Sequence, residues 1–185
     1  MIELKTPTLE LLPRYVDALQ RGWMPDHIIG IAATQEQLAA IEQDAAGFIV
    51  RQTNLDARGD PMTLPDGSTV ARIPGRQFWI WDDAFCGRLS LRGQRGSAAL
   101  PPHVLGHVGY AVVPWKRRRG YATEAVRAVL PYARAQGLTY VEVTTDPDNL
   151  ASRKVITANG GVLIESFTKP AAFGNAPGLR FRIPL

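Results

Sequence analysis

The chain has 185 residues, 45% hydrophobic and 21% charged, with 21 basic against 17 acidic side chains and a net charge of +4. That length buries roughly 70% of the surface an unfolded chain exposes, enough for its own core, and the composition excludes a disordered chain. One Cys excludes an internal disulfide and no apolar run reaches the roughly 18 residues of a membrane span, while the mild positive charge points to anionic ligands but falls far short of a nucleic-acid patch.

The first residues, Met1 to Pro7, carry early charge and no apolar stretch, so no secretory signal is expected. With Cys86 alone, the expected compartment is reducing and cytoplasmic. Thr8 to Trp23 reads as a helix with Leu11, Leu12, Tyr15, Val16 and Leu19 on one stripe. Thr34 followed by Gln37 fits a capping box opening a second helix, whose apolar face uses Leu38, Ile41, Ala45, Phe48 and Ile49. Residues 53–76 hold Gly59, Pro61, Pro65, Gly67, Pro74 and Gly75, which is punctuation, and they are expected to form a long loop.

Gln77 to Arg92 reads as a β-hairpin, with Asp82, Asp83 and Gly87 at the turn and Cys86 a bystander within it. Residues 93–105 form a second loop, and His107 to Val113 a strand ended by Pro114. The pattern then becomes helix (Gly120 to Gln136, with a kink expected at Pro131), strand (Tyr140 to Thr145), short helix (Leu150 to Asn159) and two strands (Val162 to Phe167, Leu179 to Leu185). One α/β domain over residues 1–185 is the economical reading.

The most informative segment is Pro114 to Thr123. It leaves a strand, carries Lys116, Arg117, Arg118 and Arg119, and starts a helix through Gly120 and Ala122. A helix N-terminus offers free N–H groups and the positive end of its dipole, and small residues let backbone approach a bulky anion. Several donors here suit a pyrophosphate. The segment is neither a Walker A loop nor a dinucleotide fingerprint, since neither glycine pattern occurs in the chain.

Arg117-Arg118-Arg119-Gly120-Tyr121-Ala122 resembles the Gln/Arg-x-x-Gly-x-Gly/Ala pyrophosphate loop of the GNAT superfamily of N-acetyltransferases. Thr123-Glu124-Ala125, the run Asp148 to Ile156, Asn159-Gly160-Gly161, His107-Val108-Gly109-Tyr110 and the Phe78 to Leu91 hairpin extend the likeness over residues 75–168. It is most similar to a bacterial branch with that His-Val-Gly-Tyr strand and Asn-Gly-Gly ending. The resemblance implies a mixed, mostly antiparallel central sheet with a splayed parallel strand pair and flanking helices. It implies acetyl-CoA as cosubstrate and no metal. The coenzyme would meet Val112 and Val113, where the strand splays at a bulge, then Arg117 to Thr123, Asn149 and Ser152. A backbone N–H near Val112 and Val113 would receive the oxyanion as a neutral amine attacks the thioester.

For proton transfer the resemblance offers Ser152 as donor to the leaving thiolate, with Ser back-bonding to its helix as the bland alternative. The position where many relatives carry an acidic Tyr is Ile156 here; Tyr110 and Tyr121 are substitutes. His107 is the candidate base, its ordinary pKa being near 6.5, with Glu142 as rival. His103 and His107 are four apart, but Pro101, Pro102 and Gly106 forbid a helix there, so no metal site is expected. Asp60, Asp82 and Asp83 are candidates to attract a cationic amine. The acceptor is a small-molecule or peptide amine, with no nucleic-acid or membrane partner. Pairing of the last strand across a homodimer stays open. The competing reading is a degenerate acyl-CoA-binding or protein-interaction module.

Overall fold

The computed structural model describes residues 2–26, 30–64 and 66–185; Pro65 of the expected loop lies outside them. Alternation builds the first sheet. Gly75–Asp82 (β5) and Ala84–Arg92 (β6) form an antiparallel hairpin. Phe78 and Ile80 of β5 enter one apolar core while Trp79 enters another, so the strand is buried on both faces. The turn is tighter than expected, centred on Asp83 at φ +54°. Gly87 lies inside β6, not in the turn. Ile80 pairs with Gly87 and Trp81 with Phe85, which makes Cys86 the extra residue of a bulge. The thiol is buried, donates to the Ala84 carbonyl at 3.3 Å, and is pushed up in pKa chiefly by burial.

Glu3–Lys5 (β1) and Thr53–Asn54 (β2) both pair with the outer edge of β5, and Val108–Val112 (β7) pairs with β6. Every one of these ladders is antiparallel. The expected long loop therefore contains β2 and a small hairpin, Met62–Thr63 (β3) with Thr69–Val70 (β4).

The helices divide between the two faces. Leu12–Gln20 (α1), Ile31–Gln43 (α2) and Ala45–Arg51 (α3) supply the core around Tyr15, Trp23, Phe48, Trp79 and Phe85. Helix α1 starts four residues later than the stripe suggests. Pro13 sits in its first turn, where the missing N–H costs nothing. The capping box at Thr34 does not form: α2 already begins at Ile31, and the buried Thr34 hydroxyl donates to the Trp23 carbonyl at 3.2 Å. What reads as one helix from Thr34 to Ile49 breaks at Asp44, whose extended backbone and carboxylate cap α3 through the Gly47 N–H at 2.8 Å.

On the other face, Tyr121–Ala135 (α4) buries Ala125, Val126, Val129 and Ala133, and Leu150–Thr157 (α5) buries Ile156. Pro131 lies within α4 on its exposed side, where water can satisfy the carbonyl it leaves unpaired. Tyr140–Thr145 (β8), Val162–Thr168 (β9) and Pro177–Pro184 (β10) form a second antiparallel sheet in the order β8-β10-β9.

No ladder joins β7 to β8 among the described residues. Their starts meet at His107. Its N–H donates to the Glu142 carbonyl at 2.8 Å, and its Nδ1 accepts the Glu142 N–H at 2.9 Å. Beyond that clasp the two strands part. Among the described residues no helix is long and apolar enough to cross a membrane.

Candidate active site

The parting of β7 from β8 opens a cleft of about 640 Å³. Ladder geometry decides which backbone groups face it. Cys86 accepts the Val113 N–H at 2.9 Å, and His107 accepts the Arg92 N–H at 2.9 Å. Hydrogen-bonding positions alternate in an antiparallel ladder, so residues 107, 109, 111 and 113 turn their backbone toward β6 while 108, 110 and 112 turn theirs to the open edge. The Val112 N–H therefore faces the cleft. Val113 lies fully buried with its N–H spent on Cys86, and stands outside the cleft. The bulge belongs to β6 at Cys86; the ladder of β7 itself runs unbroken.

One end of the cleft is the turn into α4. A single 3-10 turn, Pro114–Lys116, leads into it, and the backbone curls through left-handed conformations at Arg118 (φ +62°) and Gly120 (φ +81°). A Cβ added at Gly120 would meet nothing within 4 Å, so the backbone there is open to a ligand. Among the described residues nothing accepts the N–H groups of Gly120, Tyr121, Ala122 or Thr123. Lys116, Arg117 and Arg118 line the same end. The Arg117 Nε is anchored to the Val112 carbonyl at 3.1 Å, which leaves its terminal nitrogens available. Arg119 is not part of the cleft lining and interacts with the Tyr121 phenol. Tyr121 donates to Asp82, and that bond is the largest influence holding the Asp82 carboxyl below its ordinary range. Asp82 is thereby occupied as a phenol acceptor.

The opposite wall is the start of α5. The Asn149 Oδ1 accepts the Ser152 N–H at 3.0 Å as an N-cap, and its amide nitrogen stays free toward the cleft. The Ser152 hydroxyl lies 2.8 Å from the Tyr110 hydroxyl, across from β7. Burial pushes the Tyr110 phenol up to about 12, with the Ser152 bond opposing that shift. Ile156 is core, so the residue that meets Ser152 is a tyrosine on the strand and not on the helix. Asn159, in the Asn-Gly-Gly ending, donates to the Thr123 carbonyl at 3.1 Å and ties α5 to the turn that starts α4.

His107 sits elsewhere. It is completely buried at the base of the strands, its Nδ1 already accepts the Glu142 N–H, and its pKa is lowered, mainly by burial and then by Arg92 and Arg182, against Glu142 and the Ala98 backbone. The geometry gives it the place of a strut. Glu142, the rival, is bound by Arg180 at 3.0 Å and Arg182 at 2.7 Å. Burial would raise its carboxyl, but the two arginines prevail and hold it low. Sequence reasoning did not single out Met24, Lys169 or Asp146, which also line the cleft, the last two as an ion pair. Asp146 reads as a turn residue and Lys169 lies in a loop, so only the tertiary fold brings them to the site. No cluster of three His, Cys, Asp or Glu side chains suited to a metal occurs among the described residues.

The fold has solved counterparts. An acetyltransferase from Salmonella typhimurium, described as modifying the N-terminal serine of ribosomal protein L7/L12, matches with a TM-score of 0.65 and 13% identity over 100% of this chain and 95% of that one. A GNAT-family acetyltransferase from Bacillus anthracis gives 0.62 and 16% over 99% and 94%. The microcin C7 self-immunity acetyltransferase MccE, solved with acetyl-CoA and AMP, gives 0.60 and 13% over 100% and 92%. No curated protein matches the sequence. The profile of the acetyltransferase (GNAT) domain matches residues 27–162, a span that runs from the segment before α2 through both walls of the cleft, and the chain belongs to that family.

Proposed function

We propose that the protein transfers an acetyl group from acetyl-CoA to a primary amine by direct attack in a ternary complex. The observation that carries this reading is the convergence, in one cleft, of an unpaired helix N-terminus at 120–123 with the edge of β7 that turns the Tyr110 backbone and the Val112 N–H away from β6. The first suits a pyrophosphate, and the second suits an extended pantetheine arm laid between β7 and β8. MccE, which shares the fold, was solved with acetyl-CoA, and this supports the choice of cosubstrate.

In this arrangement Lys116, Arg117 and Arg118 add charge at the diphosphate, and the free Asn149 amide donates to the arm. The Val112 N–H is the donor for the thioester oxygen. As the amine nitrogen bonds to the carbonyl carbon, negative charge gathers on that oxygen, and a fixed donor stabilises it. The C–S bond then breaks with its electron pair on sulfur. Ser152, hydrogen-bonded to Tyr110, supplies the proton to the thiolate and regains one from solvent, while the newly acylated nitrogen sheds its surplus proton to solvent. His107 and Glu142 have no part in proton transfer; the amine enters neutral or loses its proton to solvent.

The test is calorimetric titration with acetyl-CoA and CoA of the wild type, Gly120→Glu and Gly120→Asn, followed by thiol release with an amine panel. Glutamate at 120 would oppose the diphosphate with charge, whereas Asn tolerates a positive φ. Binding lost in Gly120→Glu and kept in Gly120→Asn is expected. Folded wild type that binds neither coenzyme refutes the reading, and binding with no thiol release from any amine leaves an acyl-CoA-binding module.

A further inference from the structure

The face of the sheet opposite Tyr110 and Ser152 carries Gly109 and Ala111, which line the cleft together with Met24 from the connection between α1 and α2. Coenzyme elements occupy one face, so the acceptor approaches from this one. Two arginines of β6 lie beside that floor, because Arg88 pairs with Ala111 and Ser90 with Gly109. Arg88 is satisfied: its Nε donates to the Pro25 carbonyl at 2.8 Å and its Nη2 lies 3.9 Å from Asp26. Arg92 is not. Its guanidinium lies across Gly109, where an added Cβ would stand 2.8 Å from Nη2. Its side-chain partner is the Ser90 hydroxyl at 2.6 Å, which in turn donates to the Gly109 carbonyl at 3.3 Å. No carboxylate reaches Arg92 among the described residues. Burial and the neighbouring Arg88 push its pKa down to about 10, against the weak pull of Asp26. Arg92 is half-buried, so its guanidinium keeps access to a ligand, and a carboxylate meeting it there would form a charge-assisted pair.

Resting on the acetyltransferase reading, we propose that Arg92 is a specificity residue that receives a carboxylate on the acceptor amine. Distance narrows the class. Gly109 precedes Val112 by three residues, about 10 Å along a strand. The carboxylate therefore sits several bonds from the attacking nitrogen, as in a short acidic peptide or a long ω-amino acid, and not in an α-amino acid. Gly109 admits the guanidinium because it has no side chain.

The experiment compares matched acceptors by thiol release: 6-aminohexanoate against its amide, and Ser-Glu amide against Ser-Gln amide, with glycine against glycinamide as the short control. Wild type, Arg92→Gln and Arg92→Lys are run together, with acetyl-CoA binding measured calorimetrically for each. The wild type should favour a long carboxylate over its amide by about tenfold to a hundredfold in kcat/KM, carried mostly by KM, the range a charge-assisted hydrogen bond supplies. Arg92→Gln should erase that preference while keeping acetyl-CoA binding, and Arg92→Lys should restore part of it. Equal rates within the pairs, a preference unchanged in Arg92→Gln, or no turnover of either long pair by protein that binds acetyl-CoA would overturn the assignment. Failure to bind acetyl-CoA would instead overturn the underlying reading. A merely structural Arg92 would lower both members of a pair alike.

Discussion

His107→Leu separates a strut from a catalyst. Leucine keeps apolar bulk but offers no acceptor to the Glu142 N–H, which His107 Nδ1 now takes at 2.9 Å. Leaving that buried donor unpaired costs about 1–3 kcal/mol. The near-perpendicular contact of the imidazole with Tyr140, centroids 6.1 Å apart, adds about 0.5–1.5 kcal/mol. The expected loss is therefore about 1.5–4.5 kcal/mol, or roughly 3–18 °C in melting temperature for a chain of this size. The pH dependence carries the same signature. The His107 pKa is lowered in the fold, so above the unfolded value of 6.5 both states are neutral and its contribution is complete. As pH falls below 6.5 the unfolded chain takes up a proton that the folded one refuses, and stability declines by up to about 1.4 kcal/mol per pH unit until the folded pKa is passed. That slope should vanish in His107→Leu. Urea titrations between pH 5 and pH 8 measure it, and thiol-release assays over the same range should keep their basic limb. An unchanged melting temperature with a hundredfold loss of kcat and a flattened pH profile would refute the strut and restore His107 as the base.

Ser152→Ala should lower kcat about 100-fold, in the range of general acid catalysis, while leaving the KM for acetyl-CoA within about twofold; Tyr110→Phe should show a milder loss of the same kind. An unchanged kcat in Ser152→Ala would return that residue to a helix-start role. Gly87→Ala would drive a Cβ to 2.2 Å from the Ala111 carbonyl oxygen at φ +154°, so β7 must shift. Overpacking should cost about 1–3 kcal/mol by urea titration and weaken acetyl-CoA binding with it. Glu142→Gln should lose about 1–2 kcal/mol, the arginine partners being partly exposed. The wild type should lose the same contribution in acid: the carboxyl is held low, so its stabilisation is full above 4.5 and disappears as pH falls through the lowered value.

Periodicity and small-residue punctuation carry local information, and they delivered the order of strands and helices from Phe78 to Leu185. The strand-turn-helix at Gly120 and the cap at Asn149 were legible for the same reason, since their conformations are set by a few neighbouring residues. Nothing local separates Gly87 in a turn from Gly87 in a bulged strand, because both demand its unusual φ; the close approach of Ala111 decides, and that is a contact across 24 positions. Thr34 followed by Gln37 looks like a cap until Trp23 takes the Thr34 hydroxyl. His107 fits a base by residue type, and only burial and the direction of Nδ1 assign it to the junction. Tyr110 and Ser152 lie 42 residues apart, so their meeting follows from how α5 faces β7.

The junction also explains why the cleft exists. Two strands that start side by side would normally continue pairing, since each further ladder bond removes an unpaired backbone group. Here the second sheet competes for β8. Its other edge is laddered to β10 along six residue pairs, from Tyr140 to Thr145, and Glu142 is pinned by Arg180 and Arg182 of that strand. The β7 strand is held to β6 with equal regularity from Val108 to Val112. Each strand follows the twist of its own sheet, and adjacent twisted sheets diverge as they extend. His107 supplies a place where both are held, using its main chain toward the Glu142 carbonyl and its ring toward the Glu142 amide. Past that residue the Tyr110 backbone and the Val112 N–H are left on an edge that faces the cleft, while Arg117 takes the Val112 carbonyl. On the proposed reading that edge is the counterpart of the coenzyme arm, and stability given up at the splay is recovered on binding.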